Sequence, residues 1–365
     1  MEYGGTGVRA ESDTLSGGWT MKAGHVVLLS VVLMGAAPVP QGGQSLSEVY
    51  KKVNASVVMI FTQEKEIPSA SGAQLISVAG LGSGVLVSAD GKVLTAAHVV
   101  QTAESIVVQF LNGETLGAKV VYSEPAADVA LLQLRRAPRA PDVARLGDSD
   151  TVEVGDQVFV VGAPLGIGHT LTVGHVSGRR GPDVGPSDMR LAEFLQTDAV
   201  ITQGNSGGPL FDMSGDVVGI VSHILSRSGG SEGLGFAVTS NVARRLLLEE
   251  RPLWSGLSGT IISGDLAQAL NLPPPGTGLL VQRIASGSPA ERFGLRAGTL
   301  RATIGDDSLI LGGDIILAVQ GTWLGEPDGY RLVRQKVIAA HAGEPISITI
   351  LRAGNMLELT GTLEP

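Results

Sequence analysis

The sequence predicts a mainly β chain in which a turn-rich β domain precedes a small α+β module. Two observations carry that expectation. Glycine fills 51 of 365 positions, about twice its ordinary share, and so many glycines imply many tight turns or positive-φ positions. From Ser56 to about Val238, short β-branched runs are separated by Gly, Asp, Asn and Ser, whereas beyond Leu257 short helices mix with strands. Glycine and the 18 prolines together make up under a fifth of the chain. With 43% apolar and 17% charged residues, the chain can bury real cores, which excludes a disordered polymer. A net charge of −9, with basic residues that pair only briefly as in Arg179-Arg180 and Arg244-Arg245, does not recommend nucleic acid as a partner. The absence of cysteine excludes disulfides, thiol nucleophiles and thiolate metal sites.

Residues 1–43 read as a leader. Lys22 precedes an apolar run from Val26 to Ala37, then Pro38-Val39-Pro40, the order of a secretory signal or a retained signal anchor. Glu2, Glu11 and Asp13 give the first twenty residues the wrong charge for such a signal, so translation is expected to begin at Met21. Residues 44–250 form the expected β domain. Ser45 and Glu48 have capping-box spacing ahead of a short helix. Strands are expected at Val57–Phe61, Gly84–Val87, Lys92–Thr95, Ser105–Phe110, Val129–Leu134, Gln157–Val161 and Val217–Val221. Segments of that length and spacing fit a sandwich or barrel. A helix over Asn241–Glu250 closes the domain, and 251–256 reads as a linker. In the module at 257–365, helices are expected at Gly264–Leu272, Ser288–Phe293 and Asp328–Ala342, with strands at Leu279–Arg283, Asp314–Val319 and Ile346–Leu351.

Three segments carry chemistry. In Thr95-Ala96-Ala97-His98-Val99-Val100 a histidine sits among small apolar residues at a strand end; alone, such a histidine is more often a packed or surface residue than a catalyst. Asp128 opens the apolar run Val129–Leu132, where a desolvated carboxylate needs a proton donor; alone, it also reads as a turn residue bonding its own backbone. Gln203-Gly204-Asn205-Ser206-Gly207-Gly208-Pro209 is more specific. A serine hydroxyl attacks a carbonyl when a base takes its proton and donors stabilise the oxyanion, and the glycines let the N–H groups of Gly204 and Ser206 converge on one point. The Gly80–Gly84 run opens a strand and lacks a phosphate-binding lysine, so it reads as turn geometry. His25, His169, His175, His223 and His341 have no i,i+4 partners, and no metal or other cofactor is expected.

Val93–His98, Asp128–Leu132 and Gly204–Leu210 resemble the three signatures of trypsin-like serine proteases, and Gly219-Ile220-Val221-Ser222 strengthens the match. Gly82–Val85, Gln196–Ala199 and Gly235–Val238 resemble the HtrA (Deg) branch over about residues 45–250, and the tail resembles its PDZ module. The resemblance implies a chymotrypsin-like double β-barrel and ATP-independent endopeptidase activity on unfolded extracytoplasmic proteins. It also implies Ser206 as nucleophile, His98 as base, Asp128 as its orienting acid, and Gly204 and Ser206 as oxyanion donors. Ser222 would support Asp128 and pair with substrate. Val200, six residues before the nucleophile, would floor a pocket walled by Gly235, favouring cuts after Val, Ile, Ala or Leu. Leu257, Ser258, Gly259 and Thr260 would form a loop that captures peptide C-termini, with Arg301–Ile310 as an insertion near that groove. A homotrimer, and membrane association only through a retained leader, are further implications. The alternative is a peptide-binding chaperone or sensor with a latent protease domain.

Overall fold

A computed structural model describes residues 44–66, 76–181, 189–226, 231–304, 307–340 and 343–362. The expected leader, with Met21 and His25, and also His341, lie outside the described residues. Residues 44–365 form one compact unit.

Ser45 caps α1 (Leu46–Val53): its hydroxyl accepts from the Glu48 N–H at 3.3 Å, while the Glu48 carboxylate accepts from the Ser45 N–H at 2.8 Å. Six strands then close a first barrel in the order β1-β2-β3-β6-β5-β4. They are β1 (Val57–Glu66), β2 (Ile76–Ser88), β3 (Lys92–Thr95), β4 (Ser105–Phe110), β5 (Thr115–Glu124) and β6 (Val129–Leu134). A one-turn helix, α2 (Ala97–Val100), follows β3. Six more close a second barrel in the order β10-β11-β12-β9-β8-β7. These are β7 (Gln157–Gly162), β8 (Thr170–Arg180), β9 (Phe194–Thr197), β10 (Pro209–Asp212), β11 (Val217–Ile224) and β12 (Gly235–Thr239). The expected double β-barrel is the observed fold. Closure leaves no sheet edge to pair with another chain.

One apolar cluster joins the barrels. Val85, Leu94 and Leu131 of the first meet Phe159, Phe211 and Ile220 of the second, and Val49, Val53, Leu246 and Leu247 seal them. The Phe159 and Phe211 rings stack at 5.3 Å, a contact worth roughly 0.5–1.5 kcal/mol beyond burial. This seam fixes one barrel against the other and hence any site whose groups come from both. The expected helix at 241–250 is α3 (Ser240–Arg244) running into a wider π-turn over Arg245–Glu250, which Arg251 ends in the left-handed region.

The expected linker is pinned to the first barrel. Pro252 accepts from the Ser123 N–H at 3.1 Å, and Trp254 Nε1 donates to the Gln101 carbonyl at 2.9 Å. The C-terminal module is a sheet of order β13-β14-β17-β19-β20, with β18 beside β17. Its strands are β13 (Leu257–Ile262), β14 (Gly278–Ile284), β17 (Ile315–Val319), β18 (Thr322–Trp323), β19 (Pro345–Arg352) and β20 (Asn355–Thr362). The insertion forms its own hairpin, β15 (Leu300–Ile304) with β16 (Asp307–Leu311). Helices α4 (Gly264–Ala269), α5 (Pro289–Arg292) and α6 (Gly329–Ala339) fall where expected but are shorter. Ion pairs dock the module on the barrels: Arg283 of β14 with Glu66 at 2.9 Å and Glu64 at 3.5 Å, and Arg334 of α6 with Glu124 and with Glu250 at 2.6 Å. Among the described residues, no helix is long and apolar enough to cross a membrane.

Candidate active site

The first barrel supplies an acid and an imidazole. Pro125–Ala127 makes a single 3-10 turn, and Asp128 caps it in the left-handed region at φ +53°, which an aspartate tolerates better than most residues. The turn buries the carboxylate beside α2. It accepts the His98 N–H at 3.0 Å, and its two oxygens lie 3.0 and 2.9 Å from His98 Nδ1. The second barrel supplies a further donor. The β11–β12 ladder shifts register between Val221 and His223, and Ser222 in that bulge donates its hydroxyl to the second Asp128 oxygen.

These contacts decide the charges. Burial alone would raise the pKa of Asp128, but the His98 imidazole and the hydrogen bonds from His98 and Ser222 outweigh it and hold the acid below its ordinary value. For His98, desolvation pulls downward, yet the facing Asp128 carboxylate, with a smaller contribution from Glu64, raises the pKa above the ordinary 6.5. The Nδ1 contact with a carboxylate fixes Nδ1 as the protonated nitrogen of neutral His98, which leaves Nε2 as its basic one.

Ser206 is partly exposed and lines the same cavity as His98 and Gly204, with a volume of about 260 Å³. Its hydroxyl is directed at the Ser222 carbonyl, 3.5 Å away, and among the described residues no hydrogen bond joins it to His98. Gly204 turns at φ +102°, and a Cβ there would lie 2.1 Å from the Ala163 carbonyl oxygen, so only glycine fits. The Gln203 carbonyl is held by the Leu165 N–H at 3.0 Å, and among the described residues no acceptor takes the N–H of Gly204 or of Ser206. Ser206, His98 and Gly204 thus line one cleft, which brings together the residue types that acyl transfer needs.

The remaining expected residues fall as follows. Val200 is half-exposed rather than a buried floor, and its carbonyl accepts from Thr172 Oγ1 at 2.9 Å. It is Ile201, at 3% exposure, whose side chain fills the space beside Gly235, because the next residue of the turn points inward. Asn205 is buried, with its amide nitrogen 3.5 Å from the Val200 carbonyl and its amide oxygen without a partner among the described residues. Leu257, Ser258, Gly259 and Thr260 are not a loop but the first residues of β13, with a bulge between Ser258 and Gly259. Gln101, on the turn after His98, donates to the Leu257 carbonyl at 2.8 Å, and a cavity of about 340 Å³ runs from His98 and Asp128 to Ser258 and Gly259. The sequence did not signal Glu64. It lines the Ser206 cavity, and burial pushes its carboxyl up, opposed by Arg283. Nothing in a β-strand alternation marks it, because its relation to His98 exists only in three dimensions.

The model of the trypsin-like peptidase domain matches residues 82–220. The chain is 36% identical over 295 residues to the periplasmic pH-dependent serine endoprotease DegQ of Escherichia coli (strain K12), covering 78% of this chain and 59% of that protein. It is 37% identical over 275 residues to a probable periplasmic serine endoprotease, DegP-like, of Ectopseudomonas mendocina (strain ymp), covering 74% of this chain and 57% of that one. It therefore spans less than two thirds of the length of these curated relatives. Among solved structures, the HtrA-type protease AlgW with tripeptide aligns with a TM-score of 0.51 at 30% identity, covering 88% of this chain and 98% of the other. The same protease with decapeptide aligns at 0.51 and 28%, covering 88% and 100%. With its paired barrels and its Asp128–His98 contact beside Ser206, the chain belongs to the HtrA (Deg) family of trypsin-like serine proteases.

Proposed function

We propose that this chain is an ATP-independent serine endopeptidase that cleaves unfolded polypeptides outside the cytoplasm. The observation that carries the reading is the run of contacts from Ser222 through Asp128 to His98, ending in the cleft that holds Ser206 and two open N–H donors. Ser206 attacks the scissile carbonyl while His98 Nε2 takes its proton. Asp128 holds the tautomer and stabilises the imidazolium, and the Gly204 and Ser206 N–H groups receive the oxyanion. His98 then protonates the leaving amine, and water repeats the sequence on the acyl-enzyme. The extracytoplasmic setting rests on the periplasmic relatives and on the leader expected from residues 1–43. A homotrimer, anchored to a membrane only if that leader is retained, is the assembly this reading takes from its family.

Residues 257–260 are proposed to hold peptide C-termini. β13 lies at one end of the sheet and pairs with β14 alone among the described strands, which leaves its other edge for an added peptide strand. Fluorescence anisotropy of C-terminally free and amidated peptides tests this, since only the free carboxylate should bind.

The orientation of the Ser206 hydroxyl favours a second reading, a peptide-binding chaperone or sensor whose protease domain rests in a latent state. A fluorophosphonate probe separates the two. Fast labelling of purified protein that Ser206→Ala removes supports the peptidase, and no labelling even in the presence of unfolded substrate supports latency.

A further inference from the structure

We propose that Ser83 is a positioning residue for the oxyanion hole, its buried hydroxyl holding the Gly204 carbonyl and, through it, the donors that receive the oxyanion. Ser83 lies on β2 of the first barrel and is fully buried. Its hydroxyl donates to the Gly204 carbonyl at 2.7 Å and accepts the Ala163 N–H at 3.0 Å. Its N–H donates to the Ser206 carbonyl at 2.8 Å, and its carbonyl accepts Thr95 Oγ1 at 2.7 Å. All of its polar groups are therefore committed, and two of the contacts end on the residues that carry the oxyanion donors.

The need for such an anchor follows from the backbone. Gly204 at φ +102° has no Cβ to limit it, so its neighbouring peptide planes can turn at little cost. Leu165 holds the plane before Gly204; the plane after it is held at its carbonyl end by Ser83 and at its other end by the Asn205 N–H, which donates to the Thr202 carbonyl at 3.0 Å. Without the Ser83 hydroxyl, the Gly204 carbonyl would be a buried acceptor with no donor and would rotate in search of one. Turning that plane would shift the Asn205-Ser206 segment against Gly204, so the Gly204 and Ser206 N–H groups, which lie on the planes to either side, would lose their common aim.

This inference rests on Ser206 acting as nucleophile, and the test separates the two. Losing a whole oxyanion donor costs about 10²–10³ in kcat. For Ser83→Ala, with donors present but misaligned, we expect kcat on a short peptide to fall about 10–100-fold, with KM within about threefold of wild type. Affinity for a peptidyl boronate, which forms a tetrahedral adduct on Ser206, should fall by the same factor, while inhibition by a product peptide and the pH midpoint stay unchanged. Thr95→Val removes a buried bond to the Ser83 carbonyl but spares the hydroxyl, and should keep kcat within about threefold of wild type. Ser83→Cys, a weaker donor, should fall between alanine and wild type, and carries the test if the alanine variant does not fold. A kcat within twofold of wild type in Ser83→Ala, an equal loss in Thr95→Val, or equal losses for boronate and product peptide would each overturn the assignment. A wild-type protein that neither cleaves peptide nor binds boronate would instead defeat the peptidase reading itself.

Discussion

The charge state of His98 decides when the site works. Its imidazole must be neutral to take a proton, and Asp128 raises its pKa above 6.5. If His98 is the base, activity should be low in acid and rise with pH, with a midpoint above that of a free histidine. A kcat/KM profile on a short peptide between pH 5 and 9 checks this, and a flat profile would reject His98 as the base. Asp128→Asn should cost about 10⁴ in kcat, since the amide favours the wrong tautomer. Cleavage preference belongs to the same scale. Val200 and Gly235, the pocket residues the resemblance implies, present no acid to a cationic side chain, and Ile201 packs apolar carbon beside Gly235. An unpaired buried ammonium would cost several kcal/mol, whereas an apolar side chain gains about 1.5–3. Cuts should follow Val, Ile, Ala or Leu, and mass spectrometry of casein fragments would refute this if most cuts followed Lys or Arg. His98, Asp128 and Ser206 were legible because each sits in a local run with its own chemical requirement. Glu64 and Arg283 were not, being 219 positions apart in sequence and meaningful only once packed together.

At the level of elements, the turn after the nucleophile tolerates no side chain at Gly207. Gly207 lies at φ +81°, and a Cβ there would fall 2.1 Å from Thr95 Oγ1 and 2.4 Å from the Ser83 carbonyl oxygen. Gly207→Ala should therefore destabilise the fold by at least about 1–3 kcal/mol, read as a lower urea midpoint, and should also abolish fluorophosphonate labelling. Strands with dense Val, Ile and Leu, such as β6 and β7, were visible in the sequence because they are buried on both faces. β8 was not, since Gly174, His175 and Gly178 interrupt its alternation. Nor was β10, which begins at Pro209, a residue that sequence rules assign to turns. β20 escaped because it is mostly exposed and carries polar residues, so pairing with β19 rather than burial defines it. β13 was read as a loop because Ser258-Gly259 is turn chemistry, and here that chemistry makes a bulge.

At the level of the whole molecule, the pinned linker and the ion pairs make the C-terminal module part of the protease's architecture. Deleting residues 256–365 should leave folded barrels, because each barrel has its own apolar cluster. The truncated protein should keep part of its activity on short peptides and lose most of its degradation of unfolded protein; a chain that cannot fold would show the boundary to be misplaced. Arg334→Met leaves Glu124, at 4% exposure, without its cation. Breaking a buried pair costs roughly 3–5 kcal/mol, so the thermal midpoint should drop by several degrees. The two ionic attachments differ in wetness, with Arg283 about twice as exposed as Arg334. Added electrolyte shortens the reach of charge from ~10 Å at 0.1 M to ~3 Å at 1 M and acts first on the wetter contact. In brine the Arg283 latch, beside the cavity that Glu64 shares with Ser206, should therefore slacken first, while Arg334 and the neutral bonds of Trp254 and Gln101 keep the tail in place.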